Sequence, residues 1–194
     1  MPDSPTIIGA ENKRAQFEAI ALPFTKSIYY TALRLTHRPE DASDLVQETC
    51  MRAYRTFSNF TVGTNCKAWL FTIMYSIFVN KYRKEQREPK SVSIEELDEK
   101  FHRFLAAEEW DAHLSLNPGE MGTEVDQALN GLPESFRLTV LLVDVEEMTY
   151  EEAAAILNCP IGTVRSRLFR ARKLLFLELQ QYAGEKGYAR NAQM

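Results

Sequence analysis

Residues Thr149 to Leu177 read TYEEAAAILNCPIGTVRSRLFRARKLLFL. Thr149 and Glu152 have the spacing of a capping box, in which a hydroxyl and a carboxylate each satisfy a backbone N–H at the start of a helix. The pattern predicts a short helix from there to Leu157, a turn at Asn158 to Pro160, and a last helix from about Ile161 into the 170s. On that last helix Val164, Leu168, Ala171 and Leu175 recur at three- and four-residue spacing and should pack inward. Arg165, Ser166, Phe169, Arg170 and Lys173 then share the outer face. No acidic residue lies between Ala153 and Leu177, whereas Arg165, Arg167, Arg170, Arg172 and Lys173 are cationic. A guanidinium can meet guanine bidentately in the major groove, a hydroxyl can bind phosphate or a base edge, and a ring can contact a thymine methyl. The reading is a helix-turn-helix whose second helix inspects DNA. A solvated cationic helix is the plainer alternative.

Such a cluster matters because the chain as a whole has a formal net charge of −4 over 194 residues. DNA attracts the local cations whatever the total. With 45% hydrophobic residues the chain can build helical cores. No apolar run approaches the roughly 20 residues that span a bilayer, and Met1 to Arg14 lacks the layout of a signal peptide, so the expected location is the cytoplasm. Cys50, Cys66 and Cys159 are odd in number and form no CxxC pair, which fits reduced, buried thiols rather than disulfides or a zinc knuckle. His37, His102 and His113 show no ligand spacing.

Helical periodicity dominates outward from the opening stretch, and no convincing strand or repeat interrupts it. The fold class expected is all-α, with two small helical domains, 10–88 and 124–182, joined by an acidic flexible linker, 89–123. From Glu88 to Glu124 there are ten acidic residues against three basic ones, with Ser91, Ser93, Pro118 and Gly119 as breakers. In the first domain a helix is expected around Asn12 to Leu22, and Pro23 opens another towards Thr36. Pro39 starts a third, with Leu45, Val46, Thr49, Ala53 and Phe57 at helical spacing. FTVGTN (60–65) reads as a loop, and a long helix follows, apolar early and basic late. In the second domain a short helix near Val125 to Asn130 breaks at Gly131 to Pro133, and Glu134 begins one running to about Val145.

Two further clusters stand out. Asp44, Gln47 and Glu48 lie at i, i+3 and i+4, so their acceptors project from one face and suit an arginine-bearing protein surface; the ordinary alternative is a solvated face. Asn80 to Arg87 carries Lys81, Arg83, Lys84 and Arg87 with Tyr82 among them, which suits single-stranded or melting DNA, or else only complements the helix dipole. Trp69, Phe71 and Ile73 read as core. No motif for catalysis is present: the sequence contains no GxxxxGK[ST], HExxH or GxSxG.

Taken together, these stretches resemble the extracytoplasmic-function (ECF) sigma factors, the two-domain branch of the bacterial sigma-70 family. DASDLVQETCMRAYRTF looks like region 2.2, KAWLFTIMYSIFVNKYRKEQREP like regions 2.3 and 2.4, and LPESFRLTVLLVDVEEMTYEEAAAILNCPIGTVRSRLFRARKLL like region 4. NKYRKEQREP looks most like the thiol-stress subgroup governed by zinc-binding anti-sigma proteins. The resemblance implies a non-enzymatic initiation factor for a stress response, with core RNA polymerase, promoter DNA and an anti-sigma factor as partners. It implies no cofactor, metal or small-molecule substrate. Asp44, Leu45, Gln47 and Glu48 match the polymerase-binding positions. Asn80, Lys81, Arg83 and Lys84, after the FTVGTN loop, match those that hold the melted minus ten strand. Thr163, Arg165, Ser166, Phe169 and Arg170 match those that read the minus thirty-five element. Ser76 departs from the asparagine that many relatives carry on the long helix, so the downstream base captured there should differ. The rival readings are a helix-turn-helix regulator that never binds polymerase, and a thiol or metal sensor built on the three cysteines.

Overall fold

A computed structural model describes residues 10–85 and 122–185, which fall into two helical units with no strand among them. The acidic stretch expected to be a linker lies outside the described residues.

The first unit starts with α1 (Ala10–Ala21), a single tight turn (Leu22–Phe24) that takes up Pro23, and α2 (Thr25–Thr36). α2 stops because His37 adopts the left-handed conformation, φ 59°, its N–H donating to the Leu33 carbonyl at 2.8 Å. Arg38 is extended, as a residue before proline must be, and Pro39 opens α3 (Pro39–Thr56). The stripe of α3 is buried as its spacing requires: Ala42, Leu45, Val46, Thr49 and Ala53, with the Thr49 hydroxyl satisfied by the Leu45 carbonyl at 2.7 Å. The FTVGTN segment turns through Gly63, whose φ of +96° suits glycine, and Asn65 caps α4 (Cys66–Glu85) by accepting from the Ala68 N–H at 3.1 Å. Leu70, Phe71, Met74, Ile77 and Phe78 of α4 are fully buried. Phe17, Tyr54, Phe57, Phe60 and Trp69 form a chain of ring contacts at 4.9 to 6.3 Å, with Trp69 half-buried at the edge of the core, and Phe71 and Ile73 are buried as read.

In the second unit three short helices, α5 (Thr123–Gly131), α6 (Glu134–Val140) and α7 (Tyr150–Leu157), pack against the long α8 (Ile161–Glu185). α8 extends further than its apolar spacing suggested. Both halves of the capping box form: Thr149 Oγ1 accepts from the Glu152 N–H at 3.2 Å, and Glu152 Oε2 from the Thr149 N–H at 3.0 Å. Asn158, at φ 49°, closes α7, and Val164, Leu168, Ala171 and Leu175 form the buried stripe of α8.

The stretch from Glu134 to Val145 is not the uniform helix its pattern suggested. At Leu141–Val145 the turn widens, so that the Glu146 N–H reaches back five residues to the Leu141 carbonyl at 2.9 Å. This widening buries Leu141, Leu142, Asp144 and Val145 together, more than one face of a regular helix would place inward. Asp144 thereby meets α8: Arg172 donates to it from Nη2 at 2.6 Å and from Nε at 3.2 Å, a two-pronged bond between a buried carboxylate and a mostly covered guanidinium. Asp144→Ala would strand that guanidinium and is expected to lower the stability of the second unit by about 3 kcal/mol. Asp144→Leu combined with Arg172→Met should recover most of the loss. Urea unfolding of the full chain followed by circular dichroism decides, and a loss below about 1 kcal/mol for the single change would contradict a structural pin.

Candidate nucleic-acid and protein interfaces

On α8 the buried stripe leaves Arg165 and Ser166 exposed, Phe169 51% exposed and Thr163 and Arg170 half-buried, so the five residues expected to read DNA share one side of the helix. Their chemistry is partly pre-arranged. The Arg165 guanidinium lies over the Tyr150 ring at 5.8 Å, Ser166 donates its hydroxyl to the Thr163 carbonyl at 3.1 Å, and Lys173 Nζ lies 6.0 Å from the centre of the Phe169 ring.

The outward face is the one the spacing predicts. The sequence aligns five cations on this helix, but Arg172 turns inward to Asp144, and Arg167 places Nη1 3.9 Å from Cys159 Sγ at the turn. The outward charge is that of Arg165, Arg170 and Lys173. Aromatic Tyr150, directly after the capping threonine, is a member of the site that sequence spacing missed.

In the first unit Asp44 and Gln47 are exposed, Glu48 is half-exposed and Leu45 is fully buried behind them. The acceptors therefore face outward together, as read. Beside Gln47 an open groove runs between α2 and α3, lined by Leu22, Pro23, Tyr29, Tyr30 and Val46. Asn80 and Lys81 on α4 are exposed, and Asn80 Nδ2 donates to the Ser76 carbonyl at 2.8 Å. Arg83 and Lys84 belong to the helical backbone of α4, but their side chains lie outside the described residues. Glu48 receives Arg52 Nη2 at 3.2 Å and Lys81 Nζ at 3.8 Å, so one carboxylate touches both the acidic face and the basic end of α4. That juxtaposition was not legible from spacing, since the partners sit on different helices.

Residues 24–88 match the model of sigma-70 region 2, and residues 123–175 match that of sigma-70 region 4. The ECF RNA polymerase sigma factor EcfG of Rhodopseudomonas palustris is 38% identical over 145 residues, which cover 74% of each chain. This chain belongs to the ECF sigma factors. It is an alternative sigma factor, and as such an initiation factor rather than an enzyme. The sigma-E factor of Escherichia coli is 34% identical, covering 72% of this sigma factor and 74% of that one. The Bartonella quintana RpoE, solved with the anti-sigma factor NepR, superimposes with a TM-score of 0.64 at 32% identity, over 85% of this chain and 97% of that one. CnrH, solved with the cytosolic domain of CnrY, shares the fold at a TM-score of 0.59 and 21% identity, over 90% and 96%. A helix-turn-helix regulator that never meets polymerase leaves the region 2 match unexplained.

Cys50, Cys66 and Cys159 of this sigma factor are free thiols, and the described residues contain no group of three or more potential metal ligands. Burial pushes the Cys66 thiol up from its ordinary value; burial also raises Cys50, partly offset by a hydrogen bond with Thr25. A raised value means less thiolate at neutral pH and hence a poorer nucleophile. At pH 7.5 Cys50 and Cys66 are expected to react with iodoacetamide several-fold more slowly than free N-acetylcysteine, as read by mass spectrometry. Faster reaction at either would favour the sensor reading, as would loss of promoter-specific transcription when all three become serine.

Proposed function

We propose that this sigma factor recruits core RNA polymerase through Asp44, Gln47 and Glu48, backed by Leu45, and reads two promoter boxes with two separate faces. Domains 10–88 and 124–182 carry the two tasks, with 89–123 as the tether between them. Asn80, Lys81, Arg83 and Lys84 hold the opened minus ten strand, where phosphates and unstacked bases are both within reach of cations. Thr163, Arg165, Ser166, Phe169 and Arg170 read the minus thirty-five element in the major groove. The work takes place in the cytoplasm, during a stress response. What carries this reading is the coexistence, in one chain, of an acidic face on α3 and a cationic reading face on α8, each exposed and each in the sigma region where the family would use it.

In vitro transcription with core polymerase tests it directly. Arg170→Ala should cost about 1 to 3 kcal/mol of promoter discrimination while leaving core binding intact. Asp44→Ala with Glu48→Ala should do the reverse, weakening the polymerase complex while leaving DNA contacts unaltered. If both variants fail only because they melt early, the assignment of these faces is wrong.

An anti-sigma factor completes the proposal, supported by the NepR-bound relative at 32% identity. It would hold the sigma factor from polymerase by covering the acidic face of α3. Affinity purification from unstressed cells should recover a small protein in place of core polymerase. Recovery of the polymerase complex alone would refute this regulation.

A further inference from the structure

Tyr150 is the first residue of α7, directly after the capping Thr149, and its ring carries the Arg165 guanidinium at 5.8 Å across the helix-turn-helix turn. Both ends of this contact rest on fixed backbone. The reciprocal bonds between Thr149 and Glu152 hold the start of α7, and buried Val164 and Leu168 set the face of α8 from which Arg165 projects. A long exposed side chain otherwise samples many rotamers, and fixing one upon binding costs conformational entropy. A ring face attracts a guanidinium through its quadrupole and leaves the N–H donors unconsumed, because the contact uses the face of the cation and not its hydrogens.

We infer that Tyr150 is a positioning residue for promoter recognition, holding Arg165 in its reading conformer before DNA arrives. The inference rests on the assignment of Arg165 to the minus thirty-five face. The ring does the positioning and the hydroxyl is dispensable, so phenylalanine should substitute and leucine should not.

Two measurements on the full chain test it. In the free protein, the side-chain methylene and Nε–H resonances of Arg165 should show an upfield ring-current displacement that survives Tyr150→Phe and disappears in Tyr150→Leu. In holoenzyme bound to promoter DNA, Tyr150→Leu should weaken the complex about two- to fivefold, the range of an exposed cation–ring contact, and Tyr150→Phe should match the parent. In an Arg165→Ala background, Tyr150→Leu should have no further effect. An equal loss in both backgrounds overturns the proposal alone, since Tyr150 would then act on DNA by itself. A holoenzyme indifferent to Arg165→Ala overturns the assignment of the face and the proposal with it. An unshifted Arg165 spectrum in the parent protein removes the contact on which the proposal stands.

Discussion

Helices as short as those of the second unit do not hold themselves together in water. α5, α6 and α7 have nine, seven and eight residues, below the roughly 12 to 15 at which an isolated helix becomes marginal. Their stability is the burial of their apolar sides against one stripe, Val164, Leu168, Ala171 and Leu175 of α8. That requirement also decides which residues of α8 face outward. Three helices cover one side of α8, so the opposite side is what remains available to a groove, and Arg165, Ser166 and Phe169 lie there because their neighbours in sequence are committed to the core.

The same logic operates in the first unit. Leu45, Val46 and Thr49 must face inward, and the 3.6-residue repeat then sends Asp44 and Gln47 outward and leaves Glu48 at the rim. α4 buries Leu70, Phe71, Met74, Ile77 and Phe78 before its composition turns basic. In each unit the outward charged face is therefore a consequence of packing and needs no separate instruction.

Much of this was legible in the sequence, because it depends on residues three or four apart. The capping box at Thr149, the turn at Asn158, the stripes of α3 and α8 and the loop around Gly63 follow from local chemistry, and all appear in the structure. What was not legible depends on partners distant in sequence. Spacing kept Arg172 off the outer face but could not name its partner, since nothing near it in the chain is acidic; Asp144 arrives only through the widened turn before Glu146. Glu147 takes up a positive φ of 56° next to that turn, which no glycine or asparagine announced. Tyr150 lay in plain view but became part of the site only when α7 and α8 were placed side by side. The contact between Glu48 and Lys81 likewise required α3 and α4 to be assembled.

The two kinds of ion pair in this protein serve opposite ends, and their exposure explains why. Glu48 with Arg52 and Lys81 retains 40 to 48% exposure on every member, so solvent screens the attraction and each pair contributes no more than about 1 kcal/mol. Such partners exchange easily. Under the proposed roles, a carboxylate that exchanged these partners for an arginine on polymerase, and a lysine that exchanged this carboxylate for a phosphate, would lose little by being paired beforehand. Asp144 with Arg172, at 3% and 19% exposure, is the contrary case. Neither charge can be released without leaving the other in a poorly solvated site, a cost of several kcal/mol that no DNA phosphate contact would offset. Arg172 is therefore committed to architecture although it lies within the cationic stretch, whereas Arg165 and Arg170 stay on the outward side of α8. In this sigma factor burial, more than charge, separates the arginine that pins α8 to the core from those on its outward side.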